Sequence, residues 1–222
     1  MNYNLPDIRC YYETTAKSIK LDLPIPHEEM LQEAKNLRDR FIPYRADDGQ
    51  GWHSLPIVGL DDDSTMAWTA YPKYTSGRDA APDYKWTSHS ELCPVTVNWL
   101  KNVFPSKCYG RVRFMLLEAG GYIGPHRDSE HPVVEPVNVA LSNPEGCVWH
   151  WAGVNEELHF KPGDVRAMNI MYTHAVRNNS TEDRYHMIIH HFDSTPEWMN
   201  LMETALKEQD EIFKHFYSTI LM

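Results

Sequence analysis

Between Tyr109 and Phe192 the chain is broken by turn chemistry about every ten residues, and this rhythm limits the possible folds more than any other feature. The segments 109–117, 122–128, 137–141, 147–152, 165–171 and 184–192 are short and rich in aromatic, β-branched or alternating apolar residues. Between them stand Glu118-Ala119-Gly120-Gly121, Ser142-Asn143-Pro144-Glu145-Gly146, Lys161-Pro162-Gly163-Asp164 and Asn178-Asn179-Ser180. Strands of this length cannot bury an apolar face alone, so the pattern predicts an all-β barrel or sandwich. In 109–117, Arg111, Arg113 and Met115 share one face while Val112, Phe114 and Leu116 share the other.

Helical patterns flank this region. Ile19, Leu21 and Leu23 alternate with Lys20 and Asp22 in a short strand that Pro24 and Pro26 end. Leu31, Ala34, Leu37 and Phe41 predict a helix over 27–41, and Val97, Leu100 and Val103 a second over 94–103. A strand is expected over 51–60. Asp61-Asp62-Asp63 after it reads as a solvated turn, because the spaced ligands of a calcium loop are missing. Residues 64–92 carry Trp68, Tyr71, Tyr74, Tyr84 and Trp86 and read as an ordered loop with short strands over one mouth of the barrel. The tail from Pro196 to Leu221 is helical, with Trp198, Leu201, Met202, Leu206, Ile212, Phe213 and Phe216 apolar; it either packs on the barrel or serves a dimer. The expected fold is mainly β, a jelly-roll barrel with flanking N- and C-terminal α-helices in one domain over 1–222. Residues 1–105 would form its helical and irregular support, 106–193 its core and 194–222 a C-terminal helix.

A hydrophobic content of 42% supports a real core, and no run of 18 apolar residues suggests a transmembrane helix. The polar stretch Met1–Cys10 has no signal-peptide core, so a soluble, cytoplasmic protein is expected. Thirty-one acids against 21 bases give a net charge of −10, which disfavours nucleic acid and anionic membrane as partners. A small-molecule or peptide substrate fits better, and oligomeric state is left open. Cys10, Cys93, Cys108 and Cys147 are widely spaced without a C-x-x-C pair, so reduced thiols are expected rather than a zinc knuckle or redox pair.

The chemistry concentrates in three places. His126 and Asp128 are two apart, so extended backbone turns both to one face. His174 follows at a strand end, and Arg184 opens a strand ten residues later. Two imidazoles and a carboxylate on one side of a metal are the facial arrangement of non-haem Fe(II) oxygenases, with positions left open for a chelating co-substrate and O2. An arginine fork suits a carboxylate of such a co-substrate. In a chain with twelve histidines an H-x-D pair alone means little; order and spacing carry the reading. Among the others, His131 falls in a loop. His186 shares the face of Arg184, and His186 or His190 could support a ligand from behind. His150 and His159 read as surface or packing residues. Asn178-Asn179-Ser180 matches a glycosylation pattern that has no meaning without secretion.

Residues 110–192 resemble the aspartyl/asparaginyl β-hydroxylase family of Fe(II)/2-oxoglutarate-dependent dioxygenases. The resemblance rests on Gly110-Arg-Val-Arg-Phe, Gly-Gly-Tyr-Ile-Gly-Pro-His126, Asn143-Pro-Glu-Gly-Cys147, Pro162-Gly-Asp164, Thr173-His174 and the stretch Asn178 to Arg184. It implies a double-stranded β-helix, Fe(II), 2-oxoglutarate and O2, and release of succinate and CO2 as the substrate is hydroxylated. It implies His126, Asp128 and His174 as metal ligands and Arg184 as partner of the distal carboxylate of 2-oxoglutarate. Asn138 stands where animal members have a histidine near the inner carboxylate. Met115 stands where they have a serine beside the arginine, so Arg184 needs another companion or acts alone. Trp149 and Trp151 are candidates to line the pocket, and Arg111 or Arg113 to bind a substrate carboxylate. The substrate would be an amino acid, a small metabolite or an Asp/Asn-type protein residue. The alternative is a metal-binding, cupin-like barrel without oxygenase activity, which has no use for Arg184.

Overall fold

One strand ties the architecture together. In the computed structural model, which describes residues 16–76, 83–129, 136–152, 156–192 and 195–209, β5 spans Tyr109–His126. Along one edge it pairs with β3 (Gly49–Gly59), from Val112 to Ile123. The opposite edge is shared: β11 (Arg184–His191) pairs with the first half, and β10 (His174–Asn178) with the second. A straight strand cannot serve two sheets, and β5 bends where the turn at 118–121 was expected. The chain does not reverse there. Gly120 takes φ +74°, a left-handed conformation suited to glycine, and the β3 register slips between Gln50 and Trp52. Gly-Gly here marks a bulge and not a hairpin.

The bend divides the curled sheet in two. On one side lie β1 (Ser18–Leu21), β9 (Val165–Met168), β6 (Val137–Ala140), β11 and the first half of β5. On the other lie the second half of β5, β10, β7 (Cys147–Trp151) and β8 (Glu156–Leu158). The short β2 (Ile42–Pro43) and β4 (Lys85–Trp86) flank β3. Every pairing is antiparallel, as a jelly roll requires. The strands β8 and β10 were not expected. The Asn178-Asn179-Ser180 turn is held by the buried Asn178 amide, which donates to the carbonyls of Leu117, Glu118 and Glu182. This asparagine is a structural clasp.

The alternation along β5 and β11 sorts two cores. Val112, Phe114, Leu116, Tyr185, Met187 and Ile189 face the helices, while Met115 and Leu117 face the interior of the barrel. Helix α1 (His27–Asn36) is shorter than predicted and passes into a 3-10 turn at Arg38–Arg40. Segment 64–92 contains the single turn α2 (Pro72–Thr75), and α3 (Pro94–Asn102) matches its prediction closely. Buried Glu33 of α1 accepts from the backbone N–H groups of Val95 and Thr96 and from the Thr96 hydroxyl, so a carboxylate caps the positive end of α3. Helix α4 (Pro196–Gln209) buries Trp198, Met202 and Leu206. Its Gln209 side chain exchanges two hydrogen bonds with the Lys20 backbone, covering the edge strand β1. Ile212, Phe213 and Phe216 lie outside the described residues.

Candidate metal centre and its cavity

Antiparallel pairing of β10 with the end of β5 sets His174 opposite His126. Their rings lie 4.4 Å apart, and Asp128 follows just past the strand. One donor atom from each of His126, Asp128 and His174 lies within 4.8 Å of the others. Asp128 Oδ2 is 3.5 Å from His126 Nε2 and 3.8 Å from His174 Nε2. Both Nδ1 atoms are engaged from behind, His126 with the Gly124 carbonyl at 2.8 Å and His174 with the Tyr172 carbonyl at 2.9 Å. A carbonyl can only accept, so each Nδ1 carries a proton and each Nε2 faces inward as the atom a metal would take. Burial holds the His174 imidazole neutral, its pKa pushed down to about 4. For Asp128, burial works against the charge. Hydrogen bonds from His126 and Arg45 outweigh it and keep the carboxyl well below the usual range. Burial opposes a charge on His126 as well, but Asp128 and the Gly124 carbonyl outweigh it and raise its pKa, so a metal taking Nε2 would displace a proton there. Two imidazoles and one ionised carboxylate fit a divalent metal.

Arg45 completes this corner, and no sequence pattern pointed to it. Its NH1 donates to Asp128 Oδ1 at 2.6 Å, leaving Oδ2 toward the imidazoles, and its Nε donates to Asp48. The residue takes φ +45°, a region that side-chain-bearing residues rarely occupy. The turn carrying it is seated on β5: the Gly124 N–H donates to the Asp48 carbonyl at 2.6 Å, and a Cβ on Gly49 would run into the Tyr122 carbonyl.

These groups open on a cavity of ≈ 190 Å³. Arg184 lines it, 1% exposed, with NH1 3.1 Å from His186 Nδ1 and Nε donating to Asn143 Oδ1 at 3.2 Å. His186 and Asn143 are thus the companions that Met115 could not be. No carboxylate pairs with Arg184 among the described residues. Asn138 also lines the cavity; its buried Oδ1 has no partner, and the amide can turn over to present its NH2 there. Trp149 lines the wall and stacks on His174 at 4.6 Å and 9°. Trp151 does not line it. It is the cross-strand partner of His174, and its ring contacts are with His174, Trp149 and Tyr172, so it packs behind the ligand. Arg111 and Arg113 both face the cavity. None of the described residues in 64–92 does; the nearest link is Thr65, whose carbonyl accepts from Arg113 at 2.7 Å. His186 and His190 reach the cavity without joining the three-residue cluster, and His131 lies outside the described residues.

Residues 27–193 match the profile of the aspartyl/asparaginyl β-hydroxylases. The chain belongs to that family. Among curated proteins no sequence matches it. Solved structures that it resembles include an oxidoreductase of the 2OG-Fe(II) oxygenase family from Burkholderia pseudomallei, with 15% identity over 76% of this chain and 80% of that one and a TM-score of 0.45. A prolyl-4-hydroxylase from Pseudomonas putida shares 13% over 78% and 91%, with a TM-score of 0.42. The viral collagen prolyl hydroxylase from Paramecium Bursaria Chlorella virus-1 shares 12% over 79% and 95%, with a TM-score of 0.41. The family match carries the assignment, and the strand order of this hydroxylase-family chain supplies its jelly-roll fold independently. No helix among the described residues is long and apolar enough to cross a membrane.

Proposed function

We propose that the protein is an Fe(II)- and 2-oxoglutarate-dependent hydroxylase that releases succinate and CO2 as it hydroxylates its substrate. His126, Asp128 and His174 hold the metal, with Arg45 fixing which carboxylate oxygen faces it. Bound there, Fe(II) with 2-oxoglutarate and O2 supplies the oxidising power to place oxygen on an unactivated carbon. The residues of the chain bind and orient. Arg184 takes the distal carboxylate of 2-oxoglutarate. His186 stays neutral because burial and the Arg184 charge push its pKa well below the ordinary value, so its Nδ1 can accept from the guanidinium and steer it. Asn138 is placed to donate to the inner carboxylate. Trp149 covers one face of His174 and keeps water from it.

The observation that carries this reading is Arg184: a buried cation without an acidic partner among the described residues, in the same cavity as the His-Asp-His cluster. A buried guanidinium without a counter-ion is costly, and a metal-binding barrel without a co-substrate gives no return for it. The test is succinate formation from 2-oxoglutarate with Fe(II) and ascorbate, with and without pooled amino acids. Turnover should depend on His174, being lost in His174→Ala, and rise with a suitable pool. Absence of 2-oxoglutarate binding to the metal-loaded protein overturns the reading and leaves the metal-binding barrel.

A further inference from the structure

Four arginines and one carboxylate line the cavity of a protein with a net charge of −10. Arg45 is paired with Asp128 and Asp48, and the proposed co-substrate accounts for Arg184. Arg111 and Arg113 remain. They are two apart on β5 and face the same way, and an NH2 of each lies 3.5 Å from a single atom, His190 Nε2. Arg113 is 3% exposed, its guanidinium sits 5.0 Å from the centre of the Tyr44 ring, and its Nε is buried without a partner. No acid neutralises either arginine among the described residues.

These groups cannot neutralise one another. Burial and both guanidinium charges hold His190 uncharged, so it contributes an acceptor and no negative charge. Burial and Arg113 lower the pKa of Arg111 to about 10, which still leaves it cationic near neutral pH. Two apposed cations, Arg113 buried and Arg111 half-buried, weaken a fold unless an anion arrives. The pair is rooted in a different part of the wall from Arg184. In register, Arg184 stands opposite Leu117 while Arg113 stands opposite Ile188, four residues along β11. At about 3.3 Å per residue that separates the two backbone rows by roughly 13 Å.

We propose that Arg111 and Arg113, with Tyr44 and His190, form a receptor for an oxyanionic group of the primary substrate, distinct from the Arg184 site. The substrate is then a small acid held by its carboxylate, or by a phosphate or sulfate in its place. This assignment of substrate class rests on the hydroxylase reading of the cavity. The receptor itself does not, and the two are tested separately.

For the receptor, metal-free Arg184→Met protein is titrated with sodium acetate and, in parallel, with sodium phosphate, each against sodium chloride of matched ionic strength, and Tm is followed. A saturable rise above chloride is expected, and the probe giving the larger rise distinguishes carboxylate from phosphate. Adding Arg113→Met or Arg111→Met weakens that binding by a factor of about thirty or more. Unliganded Arg111→Met, made in the otherwise unchanged chain, melts no lower than wild type, because it removes a like-charge contact. Arg111 is less buried than Arg113, so that variant carries the test should Arg113→Met fail to fold. Equal anion affinity in the arginine variants, or a lowered Tm with no change in anion affinity, overturns the receptor. Calorimetric binding of 2-oxoglutarate to the Mn(II)-loaded wild type reads the other hypothesis. If it fails while the anion site persists, the hydroxylase reading falls and the receptor stands.

Discussion

At the scale of single residues the site divides by sequence distance. His126 and Asp128 announce themselves by a spacing of two, and His174 and Arg184 by their place at strand ends. Arg45 does not: it meets Asp128 across 83 residues of sequence, through the register of β3 on β5. Its turn carries no pattern linking an arginine to a distant carboxylate. The contact has consequences that can be measured. Arg45→Met should lower the affinity for Mn(II) or Fe(II) by about 10- to 100-fold, because a carboxylate freed to rotate is a poorer ligand. Quenching of Trp149, stacked on His174, by a paramagnetic ion offers a readout independent of turnover. Unchanged metal affinity would reduce Arg45 to a surface ion pair. Trp151 shows the limit of period-two reasoning. It shares a strand face with Trp149, as alternation requires, yet the cavity ends before it, and only the three-dimensional wall decides where lining stops.

Among elements, those with a clear apolar or periodic run were legible: α1 and α3, and the strands β3, β6, β7, β9 and β11. The failures have a common cause. β8 reads Glu-Glu-Leu and β10 His-Ala-Val-Arg-Asn, each with too few apolar residues for a pattern to stand out. Gly120-Gly121 carries the chemistry of a turn, and whether such a pair reverses the chain or bends it is settled by the strand alongside, which no local signal describes. The contact between α1 and α3 was equally hidden. Glu33 stands between the apolar positions that predict α1 and carries no sign of a partner in the sequence, yet it is buried and takes three hydrogen bonds from α3. Glu33→Ala leaves those donors unmet and should destabilise the protein by about 2–4 kcal/mol in urea unfolding. A change below about 0.5 kcal/mol would mean that water replaces the carboxylate.

Over the whole molecule, acidity and stability are linked. Hydrogen bonds and cations hold several carboxyls below their ordinary range: Asp61 with Lys73, Ser64 and Tyr74, Asp62 with Ser88, and Asp164 with Lys20 and the Lys161 backbone, in each buried case against the opposing effect of burial. Lowered folded-state values mean that the unfolded chain takes up protons first. Their contribution is complete above the unfolded carboxyl range, near about pH 4, and is lost as pH falls through the folded values. Tm should therefore be level only above about pH 7. It should decline as pH falls below that, because burial keeps His174, His186 and His190 from taking up protons that the unfolded chain accepts, and fall more steeply below about pH 5, with a shallower acid limb in Asp164→Asn. An identical slope in that variant would remove Asp164 from the account.

The bent strand β5 also has a meaning for selectivity. Arg111 and Arg113 stand near its beginning and His126 at its end, on one unbroken stretch of backbone braced along both edges. If the proposed receptor and metal centre act as assigned, the distance from the point where an acid is held to the point where a carbon is oxidised is written into a single covalent ruler. Such a ruler does not stretch to suit its guest. It chooses, by counting bonds from the acidic group, which carbon of the substrate comes within reach.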